Sequence, residues 1–342
     1  MVTIKEIAKK AGVSPSTVSR VISNDSRISD ETKKKVRKIM NDMDYHPNVM
    51  ARSLVSKYTN TIGIIMPYST EKAFTNPFFP EVLRGILKAA HDYGYFILLS
   101  AGSTEEEQIA SLNALVRGSR VDGVIIMYSK PDDPILLELK KMNKPFSMIG
   151  RPVDSDNINY VDNDNVEAAY MAVKYLINRG HKRIGLIKGA LHLTVSADRY
   201  EGYKKAFNEY GLSIDERIVI SNAFEQEGGY KSMKKILEVP EVPTAVLVTD
   251  DLMAFGAMKA IREYGYKIPD DISVVSFNNV PLAEFAMPPL TSVDINSYDL
   301  GFSAAEILLK YIKGERKIGK KIIKTNIIFR KSVRDRNIIE TL

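Results

Sequence analysis

The chain has 342 residues, 44% of them hydrophobic and 26% charged, which suits a soluble globular protein of two or three domains and excludes a mini-protein. It has no cysteine, so a disulfide framework, a thiolate nucleophile and a Cys-ligated metal or iron–sulfur site are excluded. The net charge of +6 is gathered at one end: residues 1–58 hold twelve Lys or Arg against six Asp or Glu, and the remainder is neutral. A basic module on a neutral body points to nucleic acid. The opening MVTIKEIAKK is charged and amphipathic, and no apolar run approaches the ~18–20 residues that span a bilayer. The expectation is a cytoplasmic protein with no membrane partner.

The first sixty residues break into short helices. Thr3 to Glu6 spells a capping box, and Ile4, Ile7, Ala8 and Ala11 recur at helical spacing until Gly12 ends the run. Ser14 caps a second helix with Pro15 at its first position, and Val18, Val21 and Ile22 form its buried stripe. Ser29 caps a third, with Val36, Ile39, Met40 and Met43 facing inward. Two short helices joined by Ala11-Gly12-Val13-Ser14 form a helix-turn-helix signature. Ser16, Thr17, Ser19 and Arg20 lie beside the apolar stripe of the second helix, where hydroxyls reach phosphates or bases and Arg pairs with guanine. A helical bundle without a DNA role shares the apolar pattern, but neither the basic charge nor the turn spacing. Pro47 stops the third helix, and residues 48–56 suit a fourth that is too short to hold alone in water, a natural switch.

The stretches TIKEIAKKAGVSPSTVSRVIS, ISDETKKKV and YHPNVMARSL resemble the DNA-binding headpiece of the LacI/GalR family. The resemblance implies that Pro15, Ser16 and Arg20 read bases, and that Thr3, Ser14, Thr17, Ser29, Thr32 and Asn48 lie near phosphates. It also implies a hinge helix at 48–56 that pairs with its dimer mate in the minor groove. Asn48, Ala51 and Leu54 would sit on its DNA side, with Leu54 as the wedge at the centre of a pseudo-palindromic operator. Pro15 departs from the family's usual large polar or aromatic residue and donates no hydrogen bond, which shifts specificity toward Ser16 and Arg20.

From Thr61 onward, short apolar runs alternate with amphipathic helices. Strands are expected at 62–66, 96–100, 123–127, 146–149, 183–187, 244–248 and 272–276, and helices at 80–93, 105–116, 166–179, 198–210 and 253–264. The alternation predicts parallel α/β sheets, and the length predicts two lobes. Ligands of such sheets bind beyond the strands' carboxyl ends. The residues that follow the strands include Phe74, Asn76, Phe78 and Phe79, then Asp162 to Asn165, Ser196 and Arg199, Asp250 and Asp251, and Asn278 and Asn279. Carboxylates and amides bind vicinal hydroxyls, and aromatic faces stack on a pyranose. Any one of these positions also suits a helix N-cap, the role assigned to Asp164 and Asp251.

The resemblance continues through TIGIIMP, NPFFPEVLRGI, YVDNDNVEAAYMAVKYLINRGHKRIGLI, SADRYEGYKKAF, PTAVLVTDDLMAFGAMKAIREYGYKIPDDISVVSFNN and PPLTSVD. It implies an all-α helix-turn-helix headpiece at 1–47, a hinge and linker at 48–58, and an α/β periplasmic-binding-protein-like core at 59–342. That core is two doubly wound lobes, one of about 61–161 with 292–321 and the other of about 162–290 with 322–340. It implies an effector site of Phe74, Phe78, Phe79, Asp162, Arg199, Asp250 and Asn278, where Asn278 replaces the more usual Asp. EKAFTNPFFPEVLRG and YVDNDN are most similar to maltose-operon repressors of Gram-positive bacteria.

No G-x-S-x-G, H-E-x-x-H or G-x-G-x-x-G occurs, and the four histidines have no ligand spacing. His181, after a helix-ending Gly180, reads as structural. Residues 314–320 spell most of a P-loop but have Lys321 where a Ser or Thr would hold Mg²⁺, and read as a basic surface loop. The expectation is a homodimeric repressor of a sugar-utilisation operon, released from double-stranded operator DNA by a small sugar effector, maltose or a related α-glucoside, with no cofactor or metal. The alternative within the family is a catabolite-control regulator co-activated by a phosphorylated HPr-type protein. The alternative from another class is a pure sugar carrier, or a sugar-modifying enzyme using Asp162 and Asp250, with an appended headpiece.

Overall fold

The computed structural model describes residues 2–45, 58–67, 70–190, 192–315 and 317–337. It divides into two compact units, Met1–Thr59 and Asn60–Leu342, each described by itself.

The described residues of the first unit form three helices, α1 (Ile4–Ala11), α2 (Pro15–Ile22) and α3 (Asp30–Asp42). Each begins at a hydroxyl that accepts from a backbone N–H three residues on: Thr3, Ser14 and Ser29. At α1 the capping box is complete, with Glu6 Oε2 accepting from Thr3 N at 2.8 Å. Gly12 closes α1 at φ 65°, a left-handed conformation that a Cβ disfavours, and so starts the turn into α2. Ile7, Ala8, Ala11, Val18, Val21 and Val36 are the buried centre, with Ile39, Met40 and Met43 packed around it. The hinge residues Asn48, Ala51 and Leu54 lie outside the described residues.

The second unit contains two six-stranded sheets. The first holds β1 (Thr61–Ile65), β2 (Phe96–Ser100), β3 (Gly123–Ile126), β4 (Phe146–Ile149), β5 (Asn159–Asn163) and, arriving last, β11 (Lys320–Ile323). Its order is β11-β5-β4-β3-β1-β2, all parallel. The second holds β6 (Ile184–Lys188), β7 (Val219–Ser221), β8 (Ala245–Val248), β9 (Ser273–Phe277), β10 (Thr291–Asp294) and β12 (Asn326–Ile328), in the order β12-β10-β9-β8-β6-β7. Only β12 runs antiparallel to its neighbour.

Between strands run the helices α4 (Thr70–Thr75), α5 (Phe78–Tyr93), α6 (Glu105–Val116), α7 (Pro134–Met142), α8 (Asn165–Asn178), α9 (Thr194–Glu209), α10 (Gln226–Leu237), α11 (Asp251–Glu263), α12 (Leu282–Phe285) and α13 (Ser297–Ile312). The strand cores are continuous apolar runs, such as Ala245–Val248 and Gly123–Ile126, because helices cover both faces.

The chain passes between the sheets after Asn163, after Asp294 and after Ile323. The second crossing therefore does not fall at about 292: β10 carries Thr291 to Asp294 into the second sheet beside β9. Lys320 opens β11, so the basic segment read as a loop ends in a strand whose exposed face, KKI, hides its apolar pattern. Helices in a layer approach closely through glycine. A Cβ on Gly229 of α10 would lie 1.9 Å from Met253 O, and one on Gly256 of α11 would lie 1.9 Å from Gln226 O. Gly85 of α5 and Gly301 of α13 meet the facing backbone in the same way.

His181 is buried, with Nδ1 2.9 Å from Thr244 Oγ1 and Nε2 3.1 Å from Arg334 O. The carbonyl can only accept, so Nε2 carries the proton and Nδ1 accepts from the threonine. Burial holds its pKa down at about 4.

Candidate functional site

The carboxyl ends of both sheets open on one cleft of about 140 Å³. At roughly 10–15 Å³ per water on such a measure, it has room for about ten water-sized groups, the scale of one or two sugar rings. Phe78, Phe79, Asp162, Arg199, Asp250 and Asn278 all line it. Phe74 does not: it sits on α4 with 44% of its surface exposed.

Asp250 is the hub of the second sheet's side. Its Oδ1 caps α11, accepting from Leu252 N at 2.8 Å and Met253 N at 3.2 Å. Its Oδ2 accepts from Asn278 Nδ2 at 2.8 Å and from Asn76 Nδ2 at 3.0 Å. Burial raises its pKa, and the Asn76 hydrogen bond opposes that rise. Asn278 is held at φ 102°, a backbone region that Asn tolerates better than most residues.

Arg199 of α9 is buried. Its Nε donates to Asn165 Oδ1 at 3.0 Å, its Nη1 to Thr249 O at 2.6 Å, and its guanidinium lies 4.2 Å from the Phe277 ring centre. Burial lowers its pKa to about 10, so it stays charged near neutrality. It forms no ion pair with a neighbour on its helix: Asp198 pairs with Arg151 at 3.1 Å and Glu201 with Lys204 at 2.6 Å. Across the cleft, Asp162 accepts from Arg151 N, Asn163 N and Asn165 Nδ2 at 2.8–3.0 Å. Burial pushes its carboxyl up to about 6. Both carboxylates are thus already occupied by protein donors.

Asp164 caps α8, accepting from Glu167 N. Asp251 is not a cap, because Asp250 fills that place. Asp251 instead turns inward, where it accepts from Ser276 Oγ, from Ser292 Oγ at 2.8 Å and from Val280 N at 2.8 Å. The cap signal in Thr249-Asp250-Asp251 is shared by two carboxylates, and only the register of β8 separates them.

Burial pushes the Asp251 carboxyl up to about 7. Between about pH 4 and pH 7 the folded chain keeps a proton there that the unfolded chain releases, so this group's contribution to stability falls as pH rises through that window. At about 1.4 kcal/mol per pH unit the loss comes to a few kcal/mol. Asp251→Asn lacks this slope. The melting-temperature gap between wild type and variant is expected to shrink from pH 4 to pH 7, and a gap independent of pH contradicts the assignment.

Asn76 and Asn165 were noted after their strands but left out of the expected effector set, and Phe224 was not noted at all. Asn165 bridges Asp162 and Arg199, and Asn76 reaches Asp250 from the other sheet. Phe224, on the loop before α10, covers Gly189 and lines the cleft. Further bonds cross between the two sheets' sides: Thr194 N donates to Ser129 O at 3.0 Å, and Arg151 Nη2 reaches Asp198. A run of short polar residues after a strand was the available signal for Asn165. The partners of Asn76 and Ser129 had none.

On the first unit, Pro15, Ser16 and Arg20 are exposed on α2. The Ser14 hydroxyl lies 2.7 Å from that of Ser16 and 2.9 Å from that of Thr17. The Arg20 guanidinium has no hydrogen-bond or ion-pair partner among the described residues.

Residues 3–48 match the family model described as bacterial regulatory proteins, lacI family, and residues 173–333 match that of a periplasmic binding protein-like domain. The chain is 42% identical over 334 residues to the HTH-type transcriptional regulator MalR of Streptococcus pneumoniae, covering 97% of this chain and 99% of that one. The lac repressor dimer bound to operator and the anti-inducer ONPF superposes with a TM-score of 0.84 at 28% identity, over 97% of this chain and 99% of that one. A probable maltose operon transcriptional repressor malR from Staphylococcus aligns with a TM-score of 0.74 at 28% identity, over 80% and 98%. With a helix-turn-helix unit, a two-sheet core and a relative of this identity over almost its whole length, the chain belongs to the lacI family of transcriptional regulators and is a repressor, not an enzyme.

Proposed function

We propose that the protein represses a sugar-utilisation operon as a homodimer on a pseudo-palindromic operator, and that a maltose-like α-glucoside in the cleft releases it. The observation that carries this reading is the cleft's chemistry. Arg199, Asp250, Asn278 and Asp162 are buried polar groups facing Phe78, Phe79 and Phe224, and hydroxyls with apolar C–H faces complement that set. The similarity to the Staphylococcus probable maltose operon repressor supports maltose. Phe96, Leu98 and Leu99 on the edge strand β2 are exposed, and that apolar edge supports pairing with a second copy. Sugar closes or opens the lobes, the hinge helices separate, and operator affinity falls. Operator binding must weaken sugar binding by the same factor.

Titrating glucose, maltose and maltotriose against operator-bound protein tests the reading. Release by maltose or maltotriose at lower concentration than by glucose supports it. Tightest response to glucose rejects an extended site. No release by any sugar, with tighter operator binding on adding phosphorylated HPr-type protein, replaces it with the co-activated regulator.

On the DNA side, Arg20→Ala is expected to cost ~1–3 kcal/mol and to relax preference at one base pair per half-site. Binding to a panel of single-base operator variants reads this out. An unchanged base preference removes Arg20 from the reading role.

A further inference from the structure

Among the described residues the backbone crosses between the two lobes of the second unit three times, and one side chain ties all three crossings. Asn163 is the last residue of β5, at the first crossing. Its Nδ2 donates to Ile295 O, just past β10 at the second crossing, at 3.1 Å, and to Ile323 O, the end of β11 at the third, at 3.0 Å. Each proton of one carboxamide thus holds a different strand. The side chain is buried yet lines the cleft. Two residues on, Asn165 accepts from Arg199 Nε and donates to Asp162 Oδ1, so the same short segment holds the cleft's arginine.

We propose that Asn163 is the positioning residue of the switch: its carboxamide makes the three crossings move as a set, so that what fills the cleft fixes the angle between the lobes. The proposal rests on the reading that a cleft ligand controls operator release. Backbone bends at the crossings require φ and ψ changes near Asn163, Ile295 and Ile323. With both bonds intact, a change at one crossing is passed to the other two. Without the donor, two buried carbonyls lose their partner and recruit water, and each crossing bends alone.

The absence of native cysteine allows a clean test in the full-length protein. Glu106→Cys on α6 and Glu227→Cys on α10, both exposed, place spin labels on opposite lobes. Pulsed dipolar distances are measured without sugar or DNA, in otherwise wild-type protein and with Asn163→Asp or Asn163→Ser. Aspartate keeps the shape and loses both donors. Serine keeps one donor and no charge, and decides the matter if the aspartate variant does not fold. The expected result is a broader lobe-to-lobe distribution in the variants. Alongside it, the ratio of operator affinities without and with maltose, at a concentration set by calorimetry to saturate each variant, should fall from the roughly 5–150-fold usual for such switches to within about twofold of unity. A distribution as narrow as wild type overturns the proposal. If wild type ignores every sugar, the effector reading fails while the label distances still judge Asn163.

Discussion

Arg199→Ala is expected to stay on its operator at sugar concentrations that release the wild type. Among the described residues that line the cleft the guanidinium is the one cation, it lies near both Asp162 and Asp250, and Thr249 O and Asn165 Oδ1 fix its plane. With Nε and Nη1 engaged, Nη2 has no hydrogen-bond partner among the described residues, so the fork is oriented by the protein and offers a donor to a ligand. Losing a buried donor to a hydroxyl costs ~1–3 kcal/mol, and more where charge is involved. A loss of the larger size moves the release midpoint by about two orders of magnitude or more. Arg199→Lys keeps the charge but not the planar fork, and should recover little. Operator titrations without sugar are expected to match wild type for both, because the first unit carries the DNA contacts. Normal release by Arg199→Ala, with unchanged sugar affinity by calorimetry, would falsify the site.

The second large effect is on folding. Gly229→Val should destabilise the second unit by more than ~3 kcal/mol. The Cβ alone would stand 1.9 Å from a backbone carbonyl oxygen, not from the movable end of a side chain. Relief requires α10 and α11 to separate, which opens the contacts of Met233, Met253 and Ala257 in the core below. Extra methylenes in a packed core cost ~1–3 kcal/mol where some give exists, and a facing helix backbone gives less. Gly211→Asn is the control: a Cβ there meets nothing within 4 Å, and Asn accepts its φ of 63°. Urea unfolding should separate the two variants. Equal midpoints mean that the helices part at little cost.

The first unit was largely legible because its signals are local. A capping hydroxyl, a proline at N1 and a glycine after the last turn each act within four residues, and Thr3, Ser14, Ser29 and Gly12 stand at those positions. In the second unit, buried parallel strands such as β4 and β8 are continuous apolar runs and were readable. The three- and four-residue strands β7, β11 and β12 were not, since each is too short or too rich in lysine and asparagine to show an apolar run.

At the site, Arg199, Asp250, Asp162 and Asn278 converge, yet the partners that orient them were out of reach. Asn76 and Asp250 are 174 positions apart, and no local periodicity links them. Asp250 took the cap expected of Asp251 while still lining the cleft, because neighbouring carboxylates at a helix start look alike until the strand before them fixes which one points inward. Phe74 belonged by composition to an aromatic cluster, but α4 turns its ring to solvent while Phe78 and Phe79 face the cleft.

The crossings also set a timetable for synthesis. Neither lobe is contiguous: the first sheet lacks an edge until β11 is made, and the second until β12. A growing chain has a complete first unit after Thr59 but cannot finish either sheet until residues 320–328 emerge. At ~5–20 residues per second, that interval is on the order of 10–60 s. During it, a folded basic module hangs from the ribosome with no completed ligand-sensing partner to govern it. Chains cut short anywhere in that interval would keep a folded headpiece on an unfinished core.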